Sequence, residues 1–113
     1  MAAKTDPAGA VLDELFAVIE ARLGTDPAQS YVARTLAGGT PGVARKLGEE
    51  ALETVIAALE GDRSAVVGES ADLLFHLLLL WADAGVAPAE VFDELRRRRG
   101  VSGLAEKAAR TAK

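Results

Sequence analysis

No cysteine occurs among the 113 residues. Disulfides, thiolate zinc sites and a cysteine nucleophile are excluded, and a reducing compartment is compatible with the composition. Histidine occurs once, at His76, so a histidine-rich metal site has no ligands. With no nucleophile elbow in the chain, no serine has a visible activating base. Aromatic residues make up 4% of the chain against 50% hydrophobic, so the core must be built from Leu, Val, Ile and Ala. The opening residues, MAAKTDPAGA, contain no apolar run, and no secretory leader is expected. The longest strongly apolar stretch, Leu73 to Ala82, is interrupted by His76 and falls short of the roughly 20 residues of a membrane span. The glycines of GGTPG do not form a GxxxxGK[ST] phosphate loop. Internal repeats and low-complexity linkers are also lacking. A cytoplasmic protein with no membrane partner is the expectation.

Charge is present but unevenly placed. The net charge is −4, yet the segment from Arg96 to Lys113 carries seven basic residues and one acid, Glu106. That segment is +6 and the preceding 95 residues are −10. An acidic body argues against nucleic-acid binding, while a basic tail suits one localised anionic ligand. Arg96 to Arg99 also complement the negative end of a helix.

The apolar pattern is helical throughout. Val11, Leu12, Leu15, Phe16, Ile19 and Leu23 share one face of a helix expected over 10–23 and ended by Gly24. Asp26-Pro27 signals the start of a second, shorter helix through Leu36, stopped by Gly38-Gly39. Thr40-Pro41 reads as an N-cap followed by proline at the first helical position, with a helix to Glu60 and Gly61 as its stop. A fourth helix begins near Asp62 or Ser64 and ends at Gly85, and Pro88 opens a fifth. The stretch after Gly100 has the makings of one or two helical turns. No segment alternates with period two, so the fold class is all-α. The length fits a single domain: a disordered tail over 1–9, a helical domain over 10–100, and a basic C-terminal tail of the same domain over 101–113.

The chemistry concentrates on the third and fourth helices. In the third, Val43, Leu47, Ala51, Val55 and Leu59 form the apolar arc, and Lys46, Glu50 and Glu53 form a polar stripe along its border, with Glu49 outside it. In the fourth, Glu69, Asp72, His76 and Asp83 lie within about 60° of one another on an otherwise apolar helix. Ionised carboxylates on such a helix are costly unless paired or bound to a cation. A lone Glu-x-x-Glu is ordinarily a solvated face, but two carboxylate pairs at i,i+3 spacing, Glu50/Glu53 and Glu69/Asp72, make an oxygen-rich site suited to Mg²⁺ or Mn²⁺. A di-iron bundle needs Glu-x-x-His on two helices, which one histidine cannot supply. His76 is expected as a hydrogen-bonding support of the site rather than a ligand or base. Water activated by metal is the remaining catalytic route.

Glu49-Glu50-Ala51-Leu52-Glu53 followed by Glu69-Ser70-Ala71-Asp72 resembles the EExxE…ExxD motif of the all-α nucleoside triphosphate pyrophosphohydrolases, the MazG-like superfamily. Within it, the stretches SYVARTLAGG, KLGEEALETVIAALEGD, ESADLLFHLLLLWADAG and SGLAEKAAR are similar to those of the phosphoribosyl-ATP pyrophosphohydrolases. Together they span nearly everything from Val11 to Arg110. The resemblance implies a MazG-like helical bundle whose active helices pair in a homodimer. It implies Mg²⁺ held by Glu50, Glu53, Glu69 and Asp72. It implies hydrolysis of phosphoribosyl-ATP to phosphoribosyl-AMP and pyrophosphate, the second step of histidine biosynthesis.

A triphosphate entering an acidic pocket is repelled without cations, so Mg²⁺ has to bridge carboxylate and phosphate. Glu49 is expected as the catalytic proton acceptor because it need not be a ligand, with Glu53 as its alternative. Lys46 is expected either to contact a phosphate or to form a salt bridge with Glu50 or Glu53. Arg34, Lys107 and Arg110 are candidates for the substrate's other phosphate. Two rival readings keep the same residues: a house-cleaning (d)NTP pyrophosphohydrolase, and a non-catalytic helical dimerisation module whose acids bind no metal.

Overall fold

A computed structural model describes residues 8–100 and 103–111. Six helices follow one another: α1 (Ala8–Ala21), α2 (Tyr31–Ala37), α3 (Gly39–Leu59), α4 (Arg63–Ala84), α5 (Pro88–Arg98) and α6 (Gly103–Thr111). No strand occurs among the described residues, and the all-α expectation holds. The expected tail over 1–9 lies outside the described residues except for Ala8 and Gly9, which begin α1. Of the expected basic tail, residues 101, 102, 112 and 113 lie outside them.

Where local chemistry is strong, helix ends fall where the sequence puts them. Asp62 caps α4, its carboxylate accepting from the Ala65 N–H at 3.0 Å. Gly85 closes α4 at φ 74°, a left-handed position that favours glycine. Pro88 is the first residue of α5, and the Glu90 carboxylate reaches back to the Ala87 N–H at 2.9 Å. Two starts differ from expectation. Asp26-Pro27 does not open a helix: Asp26 accepts from the Ala28 N–H at 2.9 Å, closing a turn. Helix α2 starts instead at Tyr31, capped by Ser30 through the Ala33 N–H at 3.1 Å. Thr40 does not cap α3, which begins one residue earlier behind Gly38 with no side-chain cap bond. The Thr40 hydroxyl donates instead to Asp83 Oδ2 at 2.7 Å, tying the start of α3 to the end of α4.

The antiparallel pair α3/α4 is the principal packing of the fold, with α1 laid across α4 and α2 against α3. The core is Phe16, Ile19, Val32, Val43, Leu78 and Leu79, so it gathers where the first half of α3 meets the second half of α4. The opposite halves are bare. Along the arc of α3, Val43 is buried, whereas Val55 and Leu59 are 53% and 82% exposed. Leu52 and Ile56 beside them, and Val67 and Leu74 on α4, are exposed too. Helix α4 has a window of mean hydropathy 1.5, of which only 17% is buried, and by length and composition it is long and apolar enough to cross a membrane. That corrects the expectation drawn from Leu73 to Ala82 alone, because the helix continues for 22 residues on less apolar sequence. It also carries Glu69 and Asp72, whose charged forms are costly in hydrocarbon.

Candidate metal centre

The expected ligands sit on the facing sides of α3 and α4. Side-chain oxygens of Glu50, Glu69 and Asp72 all come within 4.8 Å of one another. Helical i,i+3 spacing stacks Glu69 and Asp72 on one face of α4, and the pairing with α3 brings Glu50 to them. Glu50 is buried at 6% exposure, and the nearest cation is Lys46 Nζ, 3.8 Å from its Oε2. Glu69 Oε1 is buried and accepts no hydrogen bond among the described residues. Burial raises the Glu69 carboxyl above its ordinary range. The charge of Glu53, a hydrogen bond with Glu53, and the charges of Asp72 and Glu50 push it the same way. Glu53 is thus beside Glu69, although it is exposed and outside the group of three.

Three hard oxygens within 4.8 Å of one another, on a cluster that also holds the unpartnered buried Glu69 Oε1, fit a divalent cation such as Mg²⁺. A cation there supplies the missing partner of Glu69 and relieves the repulsion that raises its pKa.

The supporting contacts combine local and long-range bonds. The Thr54 hydroxyl lies 2.9 Å from the Glu50 carbonyl and 3.1 Å from the Glu69 carbonyl, so one hydroxyl links the backbones of two of the three clustered carboxylates. His76 is buried, with Nδ1 at 2.8 Å from the Asp72 carbonyl. A carbonyl only accepts, so Nδ1 carries the proton. Nε2 faces the Tyr31 hydroxyl at 2.9 Å. His76 therefore supports Asp72 through its backbone, with both ring nitrogens engaged. Asp83, on the same stripe, is engaged by Thr40 and stands apart from the three.

The remaining expected residues separate into two groups. Glu49 is outside the group of three: Arg45 holds it at 2.6 Å and Lys46 at 3.8 Å. The salt bridges of Lys46 run to Glu49 and Glu50, and none to Glu53 occurs among the described residues. Arg34 is exposed on α2, where its Nε donates to the Pro27 carbonyl at 3.2 Å. Lys107 and Arg110 are exposed on α6, which takes part in none of the principal helix packings. Sequence reasoning missed Thr54, Tyr31 and Arg45. Thr54 and Arg45 left local signals, since a threonine four residues after Glu50 can bond back to its carbonyl and Arg45 is spaced i,i+4 from Glu49, whereas Tyr31 left none.

Comparison with known proteins agrees with this arrangement. The family phosphoribosyl-ATP pyrophosphohydrolase matches residues 12–99. A phosphoribosyl-ATP pyrophosphatase of Azospirillum brasilense is 56% identical over 101 residues, covering 89% of this chain and 91% of the relative. One from Rhizorhabdus wittichii is 63% identical over 99 residues, covering 88% and 93%. One from Parvibaculum lavamentivorans is 61% identical over 99 residues, covering 88% and 91%. With its carboxylates on two paired helices and a match of this extent, the chain belongs to the phosphoribosyl-ATP pyrophosphohydrolase family.

Proposed function

We propose that this chain hydrolyses phosphoribosyl-ATP to phosphoribosyl-AMP and pyrophosphate in a Mg²⁺-dependent reaction, the second step of histidine biosynthesis, in the cytoplasm. The observation that carries the reading is the meeting of Glu50, Glu69 and Asp72 within 4.8 Å around the orphaned Glu69 oxygen. These three, with Glu53 beside them, would hold the cation. Bound Mg²⁺ neutralises phosphate charge and acidifies water.

The chain's own residues do the rest. Lys46 lies between Glu49 and Glu50, at the edge of the carboxylates, and its flexible ammonium turns to the phosphates as they enter. Glu49 stays outside the ligand group, and once its exposed pair with Arg45 opens, its carboxylate takes a proton from the attacking water. Arg34, Lys107 and Arg110 bind the remaining phosphate. Thr54 and His76 hold the ligand-bearing backbones in register. A second copy of the chain covers the bare apolar face of α3 and α4, forming a homodimer, and no nucleic acid or membrane takes part.

The test is direct. Purified protein with Mg²⁺ and phosphoribosyl-ATP should release pyrophosphate rather than orthophosphate, and EDTA should stop the reaction. Lys107→Ala with Arg110→Ala should raise KM for this substrate without changing Mg²⁺ binding. Release of orthophosphate, or an equal rate in EDTA, would overturn the reading.

A further inference from the structure

The carboxylate cluster lies along the middle of α3, and the first turns of the same helix, next to it, hold a feature it does not explain. A cavity of about 190 Å³ lies between α2 and the first turns of α3. Arg34, Arg45 and Lys46 line it. Three cations gather there in a chain of net charge −4. Gathering like charges is unfavourable unless an anion joins them. The neighbouring carboxylates answer only part of this charge. Glu49 meets Arg45 at 2.6 Å, and Lys46 stands at the longer distance of 3.8 Å from both Glu49 and Glu50. No ion pair to Arg34 occurs among the described residues. The Arg45 side chain is 70% exposed, and an exposed pair of that kind contributes little, so its guanidinium is readily given to a better partner.

The backbone is arranged to the same end. Gly38 and Gly42 form part of the wall. A Cβ added at Gly42 would meet no atom within 4 Å. The missing side chain therefore leaves open space where no neighbouring protein group requires it. Gly38 is also the N-cap of α3 and makes no side-chain cap bond. The N-terminus of the 21-residue α3 thus adjoins the cavity without a side-chain acceptor, although the carbonyl end of α2 closes on the same Gly38 and offsets part of its dipole, so the cationic side chains carry most of the positive charge. Size narrows the ligand. The volume falls below the roughly 300–1,000 Å³ of pockets that enclose a whole small molecule, so the cavity suits a single charged group rather than a nucleoside.

We propose that this cavity is a pocket for a phosphate group, bound by Arg34, Arg45 and Lys46 beneath the N-terminus of α3. Lys46 belongs to both places: it lines the cavity and stands 3.8 Å from Glu50 Oε2. A phosphate in the pocket is therefore next to the carboxylate cluster. Anion binding itself does not depend on the proposed function. Its source does: it is either the pyrophosphate end of the substrate or the phosphate on the ribose.

Calorimetric titration of the full chain in EDTA, with inorganic pyrophosphate and separately with ribose 5-phosphate, tests the pocket without the metal. One of the two should bind, which identifies the source. Arg34→Gln removes a charge-assisted contact and should weaken that binding about tenfold to a hundredfold. Gly42→Leu should abolish it by filling the space, while its Tm stays level or rises, because leucine outranks glycine inside a helix. Binding of neither anion, or binding unchanged in both variants, would overturn the pocket. Intact anion binding in a protein that does not hydrolyse phosphoribosyl-ATP would count against the proposed function alone.

Discussion

Glu50 combines burial with a distant counter-charge, and that combination makes it the most informative single residue. At 6% exposure its carboxylate is largely removed from water, and Lys46 at 3.8 Å is too far for a hydrogen bond. Like charges on Glu69 and Asp72 stand within 4.8 Å. In Glu50→Gln the shape is kept and the repulsion falls. The apo protein should melt at the same temperature or higher, while activity drops more than about a hundredfold, beyond what removing a mere neighbour of a ligand costs. Thermal melts and turnover of the same preparation check both. Near wild-type turnover would remove Glu50 from the ligand set. Glu94 offers a contrast far from the site. Hydrogen bonds from Arg97 at 2.7 Å and Arg98 at 2.9 Å hold its carboxyl at a pKa of about 2, against an ordinary 4.5. A depressed pKa means the fold favours the ionised form, so this stabilisation is present above pH 4.5 and fades as pH falls towards 2. Denaturant midpoints of wild type and Glu94→Gln should differ near neutrality, converge in acid, and differ less in high salt. A constant gap at every pH would contradict the assignment.

At the scale of elements, the register of α3 against α4 decides whether the carboxylates meet. Among the described residues, Thr54 is the side chain that links the backbones of the two acidic pairs, reaching the carbonyls of Glu50 and Glu69. Thr54→Val preserves volume and removes the hydroxyl. Losing one net hydrogen bond should cost about 0.5–1.5 kcal/mol of stability, read as a lower denaturant midpoint, and the Kd for Mg²⁺ should rise. A Kd that does not move would show that helix packing alone sets the register. Much of this hairpin was legible beforehand. Asp62, Gly85 and Pro88 mark helix boundaries through bonds or backbone angles that span at most four residues. The starts of α2 and α3 were not legible in the same way. Asp26 closed a turn on itself, and the Thr40 hydroxyl found a partner 43 residues away.

For the whole molecule, the unanswered surface is the apolar half of the hairpin. Leu52, Val55, Ile56 and Leu59 on α3 and Val67 and Leu74 on α4 are exposed, a larger apolar face than a monomer ordinarily leaves in water. A second copy would present the same face and cover it by two-fold symmetry. Light scattering at micromolar concentration should give twice the 11.7 kDa chain mass, and Ile56→Glu should return it to one chain. A wild-type mass of 11.7 kDa would refute the dimer.

The division between sequence and structure follows from range. Composition, helical period and the i,i+3 spacing of Glu50/Glu53 and Glu69/Asp72 are local properties. They determined an all-α chain with acidic pairs on two neighbouring helices, and the motif they form pointed to the family. Which acids actually meet was not local. Glu50 joined Glu69 and Asp72, Glu53 stayed at the margin, Glu49 was taken by Arg45, and Asp83 by Thr40. Tyr31 reached His76 across 45 residues. The cationic cavity between α2 and α3 likewise exists only once α2 is laid against α3. Helix rotation and crossing settle these partners, and they depend on the packing of Ile19, Val43, Leu78 and Leu79 in the core rather than on any spacing along the chain.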